Sequence, residues 1–169
     1  MDDQLNILLM RHAKSSWKDR RLRDYDRPLN KRGNRDAPAM GLFLKNAGRT
    51  PDLIISSPAL RAKTTSLMAA EEMDFDHERI LWNDKLYFDG PDAYVEAIKQ
   101  AGTESGLKRI MTVGHNPMTE NTIALLTGRQ NPYSVPTAAV ICLDVNVGSW
   151  DELVLGCCTL VWIKRPKDL

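Results

Sequence analysis

Short apolar runs alternate with helical patterns along most of the chain, and this alternation limits the fold more than any other feature. The runs predict six strands, at Leu5 to Met10, Leu53 to Ser56, Ile80 to Trp82, Arg109 to Val113, Ala138 to Val145 and Leu153 to Ile163. Strands that alternate with helices indicate a layered α/β fold around a mainly parallel sheet.

Four helices are predicted between or after the strands, at Lys31 to Asn46, Pro58 to about Glu72, Pro91 to Ala101, and from Asn116-Pro117 to the residue before Gly128. Asn30 and Asn116 are the predicted N-caps of the first and last helices. Pro38 predicts either a later start or a kink in the first helix, because proline cannot donate the backbone hydrogen bond.

The last two strands have no helix between them, and residues 146–149 have the composition of a hairpin connection. We therefore expect one antiparallel edge on the sheet. The chain has no repeat, low-complexity tract or linker that would divide it, so residues 1–169 are predicted to form a single domain.

Composition argues against several kinds of partner. The 169 residues include 23 basic and 22 acidic side chains, so the net charge of +1 does not favour nucleic acid or a membrane surface. The cysteines Cys142, Cys157 and Cys158 have neither zinc-site spacing nor the density of a disulfide framework. They are expected to be reduced core thiols in a cytoplasmic protein, and the acidic start of the chain does not resemble a signal peptide.

Basic side chains follow the ends of three of the predicted strands. Arg11 and His12 follow the first strand. Arg61 falls in the opening turn of the helix after the second strand, and His115 follows the fourth strand. Ligands of open α/β sheets bind beyond the carboxyl ends of the strands, so these residues are expected to converge. A guanidinium suits phosphate oxygens and a neutral imidazole can attack phosphorus, so the set predicts a phosphoryl-transfer site.

Three motifs extend this pattern, namely Arg11-His12-Ala13-Lys14, Ser56-Ser57-Pro58-Ala59-Leu60-Arg61-Ala62-Lys63-Thr64 and Gly114-His115-Asn116-Pro117. Together they resemble the histidine phosphatase family, which includes phosphoglycerate mutases and phosphohistidine phosphatases. The segment at 27–33 and the short chain look most like the SixA-type phosphohistidine phosphatase branch. The resemblance runs from about Leu5 to the final strand and implies a phosphoglycerate mutase-like, three-layer α/β/α sandwich.

The resemblance also implies roles for four residues. His12 is the nucleophile that carries a covalent phosphoryl group, while Arg11, Arg61 and His115 bind the phosphoryl oxygens. Phosphoryl transfer depends mainly on positioning and on positive charge around the oxygens, which these side chains supply without a metal or another cofactor. Water then attacks the phosphohistidine and releases inorganic phosphate.

A proton donor for the leaving group is harder to identify. A phosphomonoesterase or mutase of this type is expected to carry an acidic residue after the third strand. Asp84 and Asp89 are the candidates there, although an aspartate in such a polar stretch is more often a turn or cap residue. An imidazole leaving group gains a proton from solvent near neutral pH, so a missing acid favours a phosphoramidate over an alkyl phosphate.

Three further polar residues are candidates for substrate contacts. Ser15 lies close to the nucleophile and could hydrogen-bond phosphate. Ser57 is either the cap of the helix that Pro58 opens or a phosphate ligand, and Asn116 caps the next helix and so positions His115 indirectly.

The sequence thus predicts a metal-independent phosphatase that acts on a phosphohistidine protein. Two alternatives stay open, a phosphatase of a small phosphorylated metabolite and a module that binds phosphorylated partners without turnover. Other phosphatase chemistries find less support. No cysteine is followed by arginine six positions later, and Asp24-Tyr25-Asp26 resembles an aspartate-based motif but no apolar strand precedes it.

Overall fold

The computed structural model describes residues 3–104, 106–129 and 133–169. Within these ranges six strands form one sheet, namely β1 (Asn6–Arg11), β2 (Leu53–Ser56), β3 (Ile80–Trp82), β4 (Arg109–Gly114), β5 (Val140–Val145) and β6 (Cys158–Lys164). The same ranges contain the α-helices α1 (Lys31–Asn46), α2 (Leu60–Glu72), α3 (Lys85–Phe88), α4 (Pro91–Ala101) and α5 (Met118–Thr127).

The sheet has the strand order β3-β2-β4-β1-β5-β6. Strands β3, β2, β4 and β1 are parallel neighbours, whereas β5 runs antiparallel to both β1 and β6. The predicted sheet, mainly parallel with an antiparallel edge, is therefore confirmed. Arg11 pairs with Gly114 and Ser56 pairs with Val113, so the carboxyl ends of β1, β2 and β4 lie at the same edge.

Helices cover both faces of the sheet and make the predicted three layers. Side chains of a strand alternate between faces, and β1 is buried on both of them. Ile7 and Leu9 pack in one core with residues of α4 and α5. Leu8 and Met10 pack in the other core with residues of α1 and α2. An almost unbroken apolar strand is what such a central position requires.

Two predicted strands begin later than expected because turns precede them. β5 begins at Val140 and not at Ala138, since Ala138 has a φ of 63° and donates its N–H to the carbonyl groups of Arg11 and His12. β6 begins at Cys158 and not at Leu153. Residues 150–152 form a 3₁₀ turn there, and Gly156 has a φ of 76°.

The helix predictions are mostly confirmed. α1 runs through Pro38 from its predicted start, and the Asn30 side chain accepts a hydrogen bond from the Gly33 N–H at 2.9 Å. α5 ends at the left-handed Gly128 as predicted. The predicted cap role of Asn116 is wrong, because its side chain donates elsewhere and α5 begins only at Met118. The short helix α3 was not predicted, and α2 begins at Leu60, two residues later than expected.

All three cysteines are buried and free, which confirms the prediction that they are core thiols. Among the helices of the described ranges, none has the length and apolar character needed to cross a membrane.

Candidate active site

His12 lies directly beyond β1, and its backbone is fixed on two sides. Its N–H donates to the Gly114 carbonyl at 2.9 Å, and the following Ala13 N–H donates to Thr65 Oγ1 at 2.9 Å. The His12 Nδ1 atom is 2.7 Å from the Ala13 carbonyl oxygen. A carbonyl only accepts, so Nδ1 carries the proton and Nε2 keeps a lone pair.

Burial and positive neighbours keep the His12 imidazole neutral. The side chain is buried, which lowers its pKa to about 3 in spite of the hydrogen bond to Ala13, and the charges of His115, Arg61 and Arg11 act in the same direction as burial. The Arg61 Nε–H points at His12 Nε2 from 3.4 Å. A nucleophilic nitrogen is therefore unprotonated at neutral pH and next to a fixed cation.

His115 lies beside His12, with the two ring centroids 5.1 Å apart. Its backbone N–H donates to the Tyr94 hydroxyl at 3.1 Å, and that hydroxyl donates to the Leu86 carbonyl at 2.7 Å. The glycine before His115 makes this possible, because a Cβ at Gly114 would lie 2.1 Å from the Tyr94 hydroxyl oxygen. Tyr94 thus holds the end of β4 in place.

The His115 ring has one hydrogen-bonded nitrogen and one without a partner. Nε2 is 2.8 Å from Ser57 Oγ, and Ser57 Oγ also accepts from the Ala59 N–H at 3.2 Å. Nδ1 is buried without a hydrogen-bond partner in the described part of the chain. Burial, together with the charge of Arg61, lowers the pKa of His115 to about 4. A buried, unpartnered ring nitrogen is suited to a ligand oxygen.

The two predicted arginines are held by different segments of the chain. Arg61, in the first turn of α2, donates from Nη1 to the Asp24 carbonyl at 2.7 Å and from Nη2 to Asp24 Oδ2 at 2.9 Å. Arg11 donates from Nη1 to the Val135 carbonyl at 2.9 Å. Its Nε is buried and has no hydrogen-bond partner within the described ranges, so it is a second donor suited to an anion.

Asp24 is a residue that the sequence interpretation did not place in the site. Its carboxylate accepts from Arg61, from the Tyr87 hydroxyl at 2.8 Å and from Arg27 Nη1 at 2.9 Å. Partial burial alone would raise the pKa of Asp24, but the hydrogen bonds from Tyr87, Arg27 and Arg61 lower it to about 2. The carboxylate is therefore ionised at neutral pH and holds Arg61 in position.

Ser15, Ser57 and Asn116, which were predicted to touch substrate, bond to protein groups in this structure. Ser15 Oγ accepts a hydrogen bond from the buried Arg27, and Ser57 Oγ contacts His115. Asn116 Nδ2 donates to Glu120 Oε1 at 2.9 Å and to the Val135 carbonyl at 3.0 Å. Asn116 Oδ1 is buried and has no hydrogen-bond partner in the part of the chain that the structure describes.

Asp84 and Asp89, the candidate proton donors, lie farther out. Asp84 is exposed and accepts from the Tyr25 hydroxyl at 3.3 Å, and Asp89 is the exposed cap at the end of α3. Neither carboxylate has a hydrogen bond or ion pair with His12, Arg61 or His115. Across the described ranges, no group of three or more His, Cys, Asp or Glu side chains is arranged to hold a metal ion.

Comparison with known proteins agrees with this arrangement. Residues 7–82 match the histidine phosphatase superfamily (branch 1). An uncharacterized protein of Mycobacterium tuberculosis is 30% identical over 94% of this chain and 100% of that protein. The chain belongs to the histidine phosphatase superfamily. The resemblance seen in the three sequence motifs is thereby confirmed, and the protein is a phosphatase, a hydrolase of phosphorylated substrates.

Two further comparisons place this histidine phosphatase near SixA proteins. A phosphohistidine phosphatase SixA homolog of Haemophilus influenzae is 26% identical over 80% of this chain and 85% of that protein. The structure of the protein histidine phosphatase SixA complexed with tungstate covers 97% of this chain and 99% of its own, with a TM-score of 0.84 and 19% identity. This second likeness shows the fold.

Proposed function

We propose that this histidine phosphatase hydrolyses phosphohistidine on a protein, through a covalent phosphoryl group on His12 and without a metal. One observation carries the proposal. The Ala13 carbonyl accepts the Nδ1 proton of His12 at 2.7 Å, which leaves a buried, unprotonated Nε2 next to Arg61. This is the tautomer that a nitrogen nucleophile needs.

In the first step, the Nε2 lone pair of His12 forms a bond to phosphorus. The bond from phosphorus to the leaving nitrogen breaks, and its electron pair stays on that nitrogen. Arg11, Arg61 and His115 hold the three non-bridging oxygens, and their unpartnered donors at Arg11 Nε and His115 Nδ1 gain acceptors. The bound anion also favours a protonated His115, since it opposes the effect of burial on the pKa.

In the second step, water attacks phosphorus in line with Nε2. The bond from phosphorus to Nε2 breaks, its electron pair returns to His12, and the water proton passes to the phosphate or to solvent. Inorganic phosphate leaves, and the hydrogen bond from Nδ1 to Ala13 restores the starting tautomer of the ring.

The carboxylates near the site support a nitrogen leaving group. The Asp24 carboxylate bonds directly to Arg61, but with a pKa of about 2 it has no proton to give at neutral pH. Asp84 and Asp89 have no hydrogen bond or ion pair with the histidines. An alkoxide would need such a proton, whereas an imidazole has a nitrogen that protonates from solvent at neutral pH.

A comparison of leaving groups tests this proposal. Purified protein is given a phosphohistidine peptide and two alkyl phosphates, and kcat/KM is measured for each with the parent and with Asp84→Asn and Asp89→Asn. We expect a preference for the phosphohistidine peptide that neither substitution changes. A preference for alkyl phosphates that either substitution abolishes would reject the proposal and assign that aspartate as the acid.

A further inference from the structure

A pocket of about 410 Å³ lies beside the candidate active site. Three aromatic rings line it, and charged groups stand at its border, the full set being Arg23, Asp24, Tyr25, Asp84, Tyr87 and Phe88. We call this the aromatic pocket. None of its ring side chains was predicted to be functional, and the steps proposed above do not use them.

The aromatic pocket is continuous with the phosphoryl site through Tyr87. The Tyr87 ring meets the His115 ring nearly edge-on, with centroids 5.3 Å apart, and the Arg61 guanidinium carbon is 5.9 Å from the Tyr87 ring centre. Asp24 bonds to both Arg61 and Tyr87. A molecule whose phosphoryl group lies between the histidines would therefore have this pocket at its side.

Burial decreases steadily from the nucleophile to the pocket. His12 and His115 are each 7% exposed, Tyr87 is half-buried and Phe88 is 70% exposed. In-line displacement puts the leaving group on the side of phosphorus opposite the attacking nitrogen. Because His12 is at the buried end, the leaving group departs toward the exposed end, where the rings are.

The rings are held in a fixed arrangement. The Tyr25 and Phe88 planes are inclined by 19° with centroids 6.4 Å apart, and Tyr87 stands perpendicular to both. Hydrogen bonds from Tyr87 to Asp24 and from Tyr25 to Asp84 restrain the two tyrosines. Rings restrained before binding lose little side-chain entropy when a ligand packs on them. Phe88 is mostly exposed, so it does not contribute to the hydrophobic core.

We propose that the aromatic pocket is the leaving-group subsite and that it receives the imidazole ring of a phosphohistidine side chain. The inference rests on the proposed function, since it names what binds the far side of that substrate. A planar ring gains edge or face contacts with Tyr25, Tyr87 and Phe88. The Asp24 carboxylate at its border is an acceptor for the N–H of the protonated leaving imidazole.

Two substrates that share the reacting bond distinguish binding of the imidazole ring from cleavage of that bond. Phosphohistidine and phosphoramidate both break a phosphorus–nitrogen bond, but the second releases ammonia and has no ring. We compare kcat/KM for both in the parent, Phe88→Ala, Tyr25→Ala and Tyr25→Phe. Leu155→Ala is the matched control, because Leu155 is 72% exposed and lies outside the aromatic pocket.

The ratio of kcat/KM for phosphohistidine to that for phosphoramidate should fall about three- to tenfold in Phe88→Ala and Tyr25→Ala, the range expected for loss of one aromatic contact. Tyr25→Phe keeps the ring and should keep most of the ratio, and Leu155→Ala should leave it unchanged. The loss should appear in KM for phosphohistidine, since the ring contact exists before the reaction.

Two negative results have different meanings. If the parent hydrolyses both compounds and the ratio is the same in Phe88→Ala and Tyr25→Ala, the subsite assignment is wrong and the proposed function stands. If the parent hydrolyses neither compound but cleaves alkyl phosphates, the proposed function and this inference both fail. Circular dichroism of each variant confirms folding before kinetics.

Discussion

The two site histidines should make the folded protein sensitive to acid. An unfolded histidine has a pKa of about 6.5, whereas burial lowers the folded values to about 3 for His12 and about 4 for His115. The unfolded chain therefore binds more protons between these limits. Stability is fully present above pH 6.5 and decreases as the pH falls toward the folded values.

The size of the effect follows from the same values. Between about pH 7 and about pH 5, each histidine should lower the free energy of unfolding by about 2 kcal/mol, so that the pair accounts for about 4 kcal/mol. Carboxylates also titrate near the lower pH, but they contribute equally to the parent and to a histidine variant. The difference in pH dependence between the parent and the variant therefore gives the contribution of the imidazole that was removed.

Urea unfolding of the parent, His12→Asn and His115→Asn at both pH values measures the effect, in buffers without phosphate or sulfate. Each variant should lose about 2 kcal/mol of the pH dependence seen in the parent, whatever its own stability at pH 7. His77→Asn removes an imidazole at the surface and serves as the control. An equal pH dependence in the parent and both site variants would refute the account of buried, neutral histidines.

Three other changes have expected outcomes. Arg61→Ala should lower kcat about 10²- to 10³-fold if its guanidinium stabilises the transferring charge, and a variant with normal folding and near-parent kcat would exclude that role. Gly33→Ala should lower the free energy of unfolding, measured in urea, by about 1–3 kcal/mol. The reason is that a Cβ at this position lies 2.2 Å from the Lys14 carbonyl oxygen. Gly90→Ala is the control and should fold normally, because a Cβ there meets nothing within 4 Å. In a plot of kcat/KM against pH, the loss of activity caused by protonation of His12 should occur below about pH 5. A loss centred near pH 6.5 would mean that the pKa of His12 in the free enzyme is not lowered.

Convergence of the four basic residues was predictable because it depends on strand order and periodicity. β1 and β4 are parallel neighbours, and Arg11 lies opposite Gly114, so the residues that follow must meet. Apolar runs mark such strands, and the carboxyl ends of parallel strands share an edge. The prediction that these residues meet therefore holds even when the predicted strand boundaries are wrong by a few residues.

The role of Asp24 could not be predicted in this way. Its partners Arg61 and Tyr87 lie 37 and 63 positions away, and the segment that carries Asp24 is a short 3₁₀ turn without strand or helix periodicity. Basic residues outnumber acidic ones between residues 18 and 36, but such a charge run more often marks a solvated surface than a site. A contact made by a loop carboxylate depends on the whole fold.

Asn116 shows how a correct local rule can give a wrong assignment. An asparagine before proline at a helix start is a good N-cap by composition. In the fold, Glu120 and the Val135 carbonyl compete for its side chain, and Val135 also accepts from Arg11. Tertiary hydrogen bonds replace the cap, so Asn116 connects the 133–137 segment to the candidate active site.

Trapping of the covalent intermediate tests the central claim most directly. The protein is mixed with a phosphohistidine peptide that carries labelled phosphate, quenched within milliseconds in base and digested for mass spectrometry. The account predicts label on His12 that is stable to base and labile to acid, and no label in His12→Gln. Steady turnover with label on another residue, or undiminished turnover by His12→Gln, would contradict it.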